Sequence, residues 1–528
     1  MVFGRGHRRD ACLIAAPAAA LLLANAAWRV GVADTERLFR DWRSWDDVAL
    51  ASGYAARGEF PVAPYRVRDQ VRRDKDPQFR AYRSWMLGEI GASGIDPLRF
   101  WKTSGSDLAP PDARWRLGRR FDDRGRALLA GIGFGLLHGM APFLLFWLAV
   151  LAALPVLGWT AVEFASARRP FTGAVFLLAL VCSTFVVELL VLGYSAAGFH
   201  LLAVLTAVPL ATYAVFGEPT VRGLLARAGL AGCLLALCIL CRGTAPLVLP
   251  GFVLAVSIGA LRARGASDAS TVRRLAVAAV AAGLLVLPCL GLRVATDRLV
   301  EGTLLRYGRE PVPEHHDAAL HVWKGLGDYD RTKGHSFRDK AVEDELVETT
   351  GSAARENEVV LREFLLRDIR GDPWWYAGIL IRRVAATVSL YKLWPWPPLS
   401  GASIVPARSD NEGVTDNYYS MIAQADWIGL GPWTAEAPIA LVLAPTLFLL
   451  GLCCLPRATP RWEVPVTRAR RALPLLACAA LAVLPTPVLI TTATAFETEC
   501  FVVVHLLALA FLVEALLPWT SSGAIVTS

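Results

Sequence analysis

The sequence predicts an all-α polytopic membrane protein with about ten transmembrane helices (range about 9–12) and two large extracytoplasmic loops. Three observations predict it. Apolar residues make up 55% of the 528-residue chain, and its mean hydropathy is +0.43. Charged residues are only 19%, against about 25% in soluble domains, and they are unevenly placed. Nearly uncharged stretches of about 20 residues recur, the length a helix needs to cross a hydrocarbon core. Backbone polar groups in lipid must be satisfied within their own segment, so these stretches are expected to be helices.

The first apolar segment, 11–30, follows Arg5, Arg8 and Arg9. Ala24-Asn25-Ala26 has the form of a signal-peptide cleavage site. The segment serves equally well as a retained first helix with a cytoplasmic N-terminus, and we read 1–31 as that helix. Within a bundle covering 127–296, further spans are expected at 139–162, 171–193, 197–216, 223–241, 243–261 and 275–296. The connections carrying Arg168 and Arg169, then Arg222 and Arg227, then Arg262, Arg264, Arg273 and Arg274 fall on every second side. That is the positive-inside pattern. It puts Arg242 outside, together with two long segments, 32–126 and 297–433. The C-terminal helices, within 434–528, are expected at 436–455, 472–492 and 499–518, with the C-terminus cytoplasmic.

The stretch from Trp374 to Trp394 is apolar enough to span, but Arg382 and Arg383 sit at its middle. A charge at the bilayer centre costs about 2.5–3.5 kcal/mol on insertion scales. We therefore expect an interfacial helix near 374–394, anchored by Trp374, Trp375, Tyr391, Trp394 and Trp396.

The net charge of +8 sits largely in short loops between apolar segments, so it sets orientation and does not point to nucleic acid. All ten cysteines lie within or at the ends of apolar segments, which argues against a disulfide framework in the loops. Small buried core residues are the simplest reading of them.

The first long segment opens with Asp34, Glu36, Asp41, Asp46 and Asp47. The pair Asp46-Asp47 leads into a helical pattern, 48–56, that ends at Gly58. Asp46 reads as a plain N-cap, since carboxylates suit a helix N-terminus. A second reading is a general base held at the membrane surface, acting on an acceptor hydroxyl or amine. Downstream, Phe79, Tyr82, Trp85, Met86 and Ile90 recur at helical spacing, the pattern of a short amphipathic helix on the membrane.

In the second long segment the informative stretch begins at Glu314. His315, His316, Asp317 and His321 match no standard metal signature, so a divalent metal is possible on composition and unsupported by spacing. Trp323, Lys324, Gly325, Gly327, Asp328 and, further on, Lys333 and Asp339 form a Gly-rich stretch with neighbouring charges. The glycines imply a tight turn or a close backbone approach. Such a stretch lines a polar substrate pocket or is an ordinary structural loop.

Together these features resemble the glycosyltransferase-C superfamily, and more narrowly the bacterial relatives of protein O-mannosyltransferases and of the lipid A aminoarabinose transferase. The acidic pair Asp46-Asp47 leading to Gly58 is similar to the family's Asp-Glu or Asp-Asp pair before a helix ending in Gly. The element Cys241-Arg242-Gly243-Thr244-Ala245-Pro246 looks like the family's mid-chain basic-residue-Gly element. The resemblance implies that Arg242 holds the lipid phosphate as charge develops on the leaving group; as a residue it reads equally as a snorkelling interfacial cation. The stretch His321-Val-Trp323-Lys324-Gly325-Leu-Gly327-Asp328, with Asp339 downstream, is similar to an outer-loop motif of many bacterial members. In the last outer turn the family often carries an acidic residue, then Arg and an aromatic. Here Glu497 and Glu499 are followed by Cys500, with no Arg.

The resemblance implies a bacterial inner-membrane hexosyl- or pentosyl-transferase of the cell envelope, with its active site on the outer face of that membrane. The donor would be a polyprenyl-phosphate sugar, the acceptor a glycan, lipid or protein, and membrane lipids would surround the bundle. No cofactor would be required. Asp46, with Asp47 beside it, would be the base for a one-step inverting attack. Three rivals stand beside this reading. A flippase of lipid-linked glycans needs charged groups near the midplane, for which Glu163, Glu188, Arg293 and Glu514 are the candidates. A non-catalytic component would keep the layout without the chemistry. A glycan ligase or polymerase would use arginines such as Arg306 and Arg309 on a lipid diphosphate.

Overall fold

The computed structural model describes residues 5–32, 141–191, 195–243, 245–264, 271–306, 322–323, 325–326, 333, 358–390, 428–430, 433–435, 439–455, 463–490 and 496–517. In chain order the helices are α1 (Arg5–Val32), α2 (Ala141–Ser166), α3 (Pro170–Cys182), α4 (Thr184–Val191), α5 (Ser195–Phe216) and α6 (Val221–Cys241). A 3-10 turn (Ala245–Val248) then leads into α7 (Leu249–Arg262), followed by α8 (Thr271–Arg306). Next come α9 (Glu358–Gly371), α10 (Pro373–Ser389), α11 (Ile439–Cys454), α12 (Glu463–Val483) and α13 (Pro485–Leu489). A second 3-10 turn (Phe496–Phe501) precedes α14 (Val502–Leu516).

Seven of these stretches are long and apolar enough to cross a membrane: 9–28, 147–166, 198–216, 221–241, 245–262, 271–296 and 499–516. The chain is a multi-pass membrane protein, and its described residues are almost wholly helical. One feature departs from the all-α expectation. A small antiparallel hairpin, β1 (Ile428–Leu430) and β2 (Trp433–Ala435), pairs Ile428 with Ala435 and Leu430 with Trp433. The dipeptide between its strands, Gly431-Pro432, is a turn signal that marks it in the sequence.

Two expected spans are divided. The stretch 171–193 breaks at Ser183, whose extended backbone separates α3 from α4. A break in lipid strands backbone carbonyls, which must find other donors. One of them, Val181 O, accepts from the buried Asn25 side chain of α1 at 2.9 Å. The stretch 472–492 instead starts earlier, at Glu463, and breaks near Leu484 before α13.

The core centres on α5, whose span is 89% buried. Its polar side chains are accommodated locally. Thr206 and Thr212 donate to the carbonyls of Leu202 and Val208, four residues back, at 2.8 Å. With no hydrophobic force between helices in lipid, packing relies on small residues that let backbones approach. A Cβ at Gly232 of α6 would overlap the backbone of Leu284 and Leu285 in α8. One at Gly251 of α7 would overlap Cys478 and Ala482 of α12.

One end of the bundle gathers arginines. The carboxylate of Glu163 accepts from Arg227 at 2.6 and 3.2 Å and from the Trp159 indole at 2.8 Å, and both charged side chains are buried. The Arg227 guanidinium also stacks 3.7 Å from the Tyr213 ring centroid. Arg169 pairs with Glu514 at 2.5 Å, and Thr172 donates to the same carboxylate. Arg262 donates to the carbonyls of Ala214 and Val215, and Arg468 to that of Glu514. The arginines whose alternation suggested an orientation therefore also cap and join helix ends. Arg227 in particular is an internal ion-pair partner in the first turns of α6, not a loop charge.

Candidate functional site

The opposite end of the bundle is organised by α10. Asp372 caps it, its carboxylate accepting from the Trp375 backbone N–H at 3.0 Å, and Pro373 occupies the first turn, where its missing N–H costs nothing. The helix stops at Leu390, held in the left-handed region with φ 54° while its N–H returns to Thr387 O. That conformation costs a leucine roughly 1–2 kcal/mol, so surrounding packing must hold it.

Successive helical residues point about 100° apart, so adjacent arginines cannot share a face. Arg382 is exposed, and Arg383 is fully buried alongside Ile379, Ala386 and Thr387. Arg383 Nη1 donates to Val488 O in α13 at 2.8 Å. Beside it lies Gly325. A Cβ at Gly325 would overlap both the Ile490 carbonyl and the Arg383 guanidinium, so only glycine fits there. The neighbouring Trp323 and Leu326 are buried against Leu361 and Leu365 of α9 and Ile379 and Ala386 of α10. Lys333 closes the edge, its Nζ 4.5 Å from the Trp375 ring centroid and 3.6 Å from Asp372 Oδ2.

The other elements of this end come from distant parts of the chain. Arg242 ends α6; its N–H donates to Cys238 O at 2.8 Å and its carbonyl accepts from Ala245 N–H at 3.0 Å. The 3-10 turn that follows, Ala245–Val248, packs on α13. The second 3-10 turn carries buried Glu499 and packs on α10, α13 and α5. One helical turn further, His505 joins three helices. Its Nε2–H donates to Val388 O at 2.7 Å, since a carbonyl can only accept. Its Nδ1 then accepts from the Thr446 hydroxyl of α11 at 2.7 Å.

The structure thus gathers Trp323, Gly325, Arg242 and Glu499 from the sequence-derived candidates at one end of the bundle. Glu497 contributes its backbone to the same 3-10 turn. Asp46, Asp47, His321, Lys324, Gly327, Asp328 and Asp339 lie outside the described residues, as do His315 and His316. Among the expected anchors, Trp374 is exposed and Trp375 is packed under Lys333, while Tyr391, Trp394 and Trp396 lie outside the described residues. Among the described residues no group of three or more His, Cys, Asp or Glu is placed to hold a metal ion.

In the sequence Arg383 stands out only as a cost of insertion, not as a site residue. The signal was present: Ile379, Arg383, Ala386 and Leu390 recur at helical spacing, the pattern of an inward face. His505 and Thr446 lie in apolar runs that give no such sign.

Chemically, this end offers a cation on a helix terminus (Arg242), a buried carboxylate (Glu499) and a glycine segment fixed by a buried guanidinium. No family model, curated protein or solved structure matches the chain.

Proposed function

We propose that this protein is a membrane glycosyltransferase that moves a sugar from a polyprenyl-phosphate donor to an extracytoplasmic glycan, lipid or protein acceptor, with inversion. Counting α3–α4, α11 and α12 as crossings beside the seven long spans gives ten, the number expected from the sequence. The basic end then faces the cytoplasm of a bacterial inner membrane, and the α10 end faces out.

The observation that supports the reading best is convergence. Arg242, the Trp323–Gly325 stretch and the Glu499 turn are far apart in sequence; the first two resemble elements of this superfamily, and the third stands where the superfamily often carries an Arg that this chain lacks. The 3-10 turn that follows Arg242 and the Glu499 turn both pack on α13, and Gly325 meets Arg383 and Ile490 at its end. In this reading Arg242 stabilises the departing lipid phosphate, and Asp46, with Asp47 beside it, takes the acceptor proton. Arg383 brings a guanidinium to the 485–501 region, where the last turn itself carries none. Lipid-linked donors keep their tails in the bilayer, so a site at this depth meets the sugar without extracting the lipid.

The test is a transfer assay with purified protein in lipid, radiolabelled polyprenyl-phosphate sugars and a membrane extract. Wild type should move label from lipid to acceptor, and Asp46→Asn with Asp47→Asn should not, while remaining folded. Full transfer by the doubly substituted protein would remove the assignment. The flippase reading has less support, because Glu163 and Glu514, two of its candidate midplane charges, are engaged by Arg227 and Arg169 near one end.

A further inference from the structure

The exposed stripe of α10 calls for an occupant. Trp374 is 86% exposed and Ile381 68% exposed; with Gly378, Arg382 and Ala385 they recur at i, i+4, i+7, i+8 and i+11, one face of the helix. No acidic residue lies on this stripe, and nothing lies within 4 Å of a Cβ placed on Gly378. The opposite face carries Ile379, Arg383, Ala386 and Thr387 into the protein.

The depth of the helix says what faces the stripe. Val388, in the last turn of α10, receives the His505 hydrogen bond, and His505 is tied in turn to Thr446. Thr446 lies ~10 Å along α11 from its start at Ile439, at 1.5 Å per residue. The last turn of α10 is therefore level with the apolar part of α11 and α14. α10 packs directly on α11, whose Leu447, Phe448 and Leu450 are exposed as well. A tryptophan at the start of the helix, with an aliphatic residue and an arginine two turns further on, matches the composition of an interfacial anchor.

We propose that this face of α10 docks on the bilayer itself, with Trp374 and Ile381 in the headgroup and upper acyl region and Arg382 paired to the phosphate of an anionic phospholipid. Adjacent arginines then have opposite tasks: Arg382 holds lipid, and Arg383 holds the Gly325 segment. The inference is independent of the glycosyltransferase reading.

Site-specific photocrosslinking tests it. The full-length protein, with p-benzoylphenylalanine in place of Trp374 or of Ile381, is reconstituted in nanodiscs of equal phosphatidylglycerol and phosphatidylcholine. It is then irradiated and analysed by mass spectrometry. Phospholipid adducts are expected at both positions, enriched about fivefold in phosphatidylglycerol, and the enrichment should vanish in Arg382→Gln. Both substitutions are at exposed positions, and monodisperse gel filtration checks the fold. Crosslinks into 33–140 or 391–427 without lipid adducts would overturn the proposal, because the chain itself would then cover the face. Lipid adducts with the same enrichment in Arg382→Gln would overturn the phosphate pairing.

Discussion

Arg383 and Gly325 are in direct apposition: the guanidinium that donates to Val488 O at 2.8 Å also occupies the space a side chain at position 325 would need. The arginine fixes the end of α13, and the missing side chain lets the Trp323–Leu326 segment close over it. A charged group pointing into the protein from an amphipathic helix is stable only if its donors are engaged. Here the backbone of α13 engages one of them.

Gly325→Ala should therefore force either Arg383 or the Ile490 carbonyl to move. Overpacking of this kind costs about 1–3 kcal/mol, and a carbonyl yields less readily than a flexible side chain. The expected result is a lower thermal midpoint in detergent and loss of Trp323 burial. Gly378→Ala on the same assembly meets open space, and helix propensity alone should leave it neutral or raise stability by about 0.5–1 kcal/mol. Equal behaviour of the two variants would contradict the apposition.

His505→Phe keeps the volume and removes both hydrogen bonds of the imidazole. The Thr446 hydroxyl can turn back to the carbonyl four residues earlier, as threonines elsewhere in the bundle do. Among the described residues His505 is the donor that Val388 O has, and its loss costs about 1–3 kcal/mol. Amide exchange at 386–390, which includes the left-handed Leu390, should accelerate before that of the spans. His505→Gln, whose amide can still donate to Val388 O, should lose less. Unchanged exchange in His505→Phe would show that the helix end is held by other contacts.

The helices and the site were not equally legible in the sequence. Long apolar runs such as 198–216 and 221–241 announced themselves, because lipid imposes both length and helical hydrogen bonding on them. The breaks at Ser183 and Leu484 did not, because the donor that satisfies the first, Asn25, comes from a helix over 150 positions away. Gly325 was recognisable as a close approach, but its partner Ile490 was not, since nothing local encodes which backbone will approach. Arg227 fits the alternation of basic connections as readily as an internal pair. Its proper partner, Glu163, is also a tertiary fact.

If Arg242 receives the departing phosphate, Arg242→Gln should lower the transfer rate about 10²–10³-fold, the usual effect of removing one transition-state donor. Arg242→Lys should recover part of that, because an ammonium keeps the charge but not the planar fork. Arg382→Gln, on the far face of α10, should leave transfer unchanged. A single-turnover assay with saturating donor separates this loss from weaker donor binding. Wild-type rates in Arg242→Gln would leave the residue as an interfacial cation only.

The Glu163–Arg227 pair separates a structural charge from a transporting one. Removing one partner strands the other in a buried site, which costs about 3–5 kcal/mol, whereas removing both leaves no uncompensated charge. Glu163→Gln or Arg227→Met alone should therefore reduce the yield of folded protein sharply. The double variant should recover much of it, a coupling readable by a double-mutant cycle on thermal midpoints. Trp159, which donates to the same carboxylate at 2.8 Å, can still donate to the amide oxygen that Glu163→Gln leaves in its place, so its loss is not confounded with that of the pair. A folded double variant that transfers sugar normally would confine these charges to holding α2 and α6 together. A folded double variant that instead loses ion or lipid flux in liposomes would make Glu163 a coupling group and favour the carrier reading.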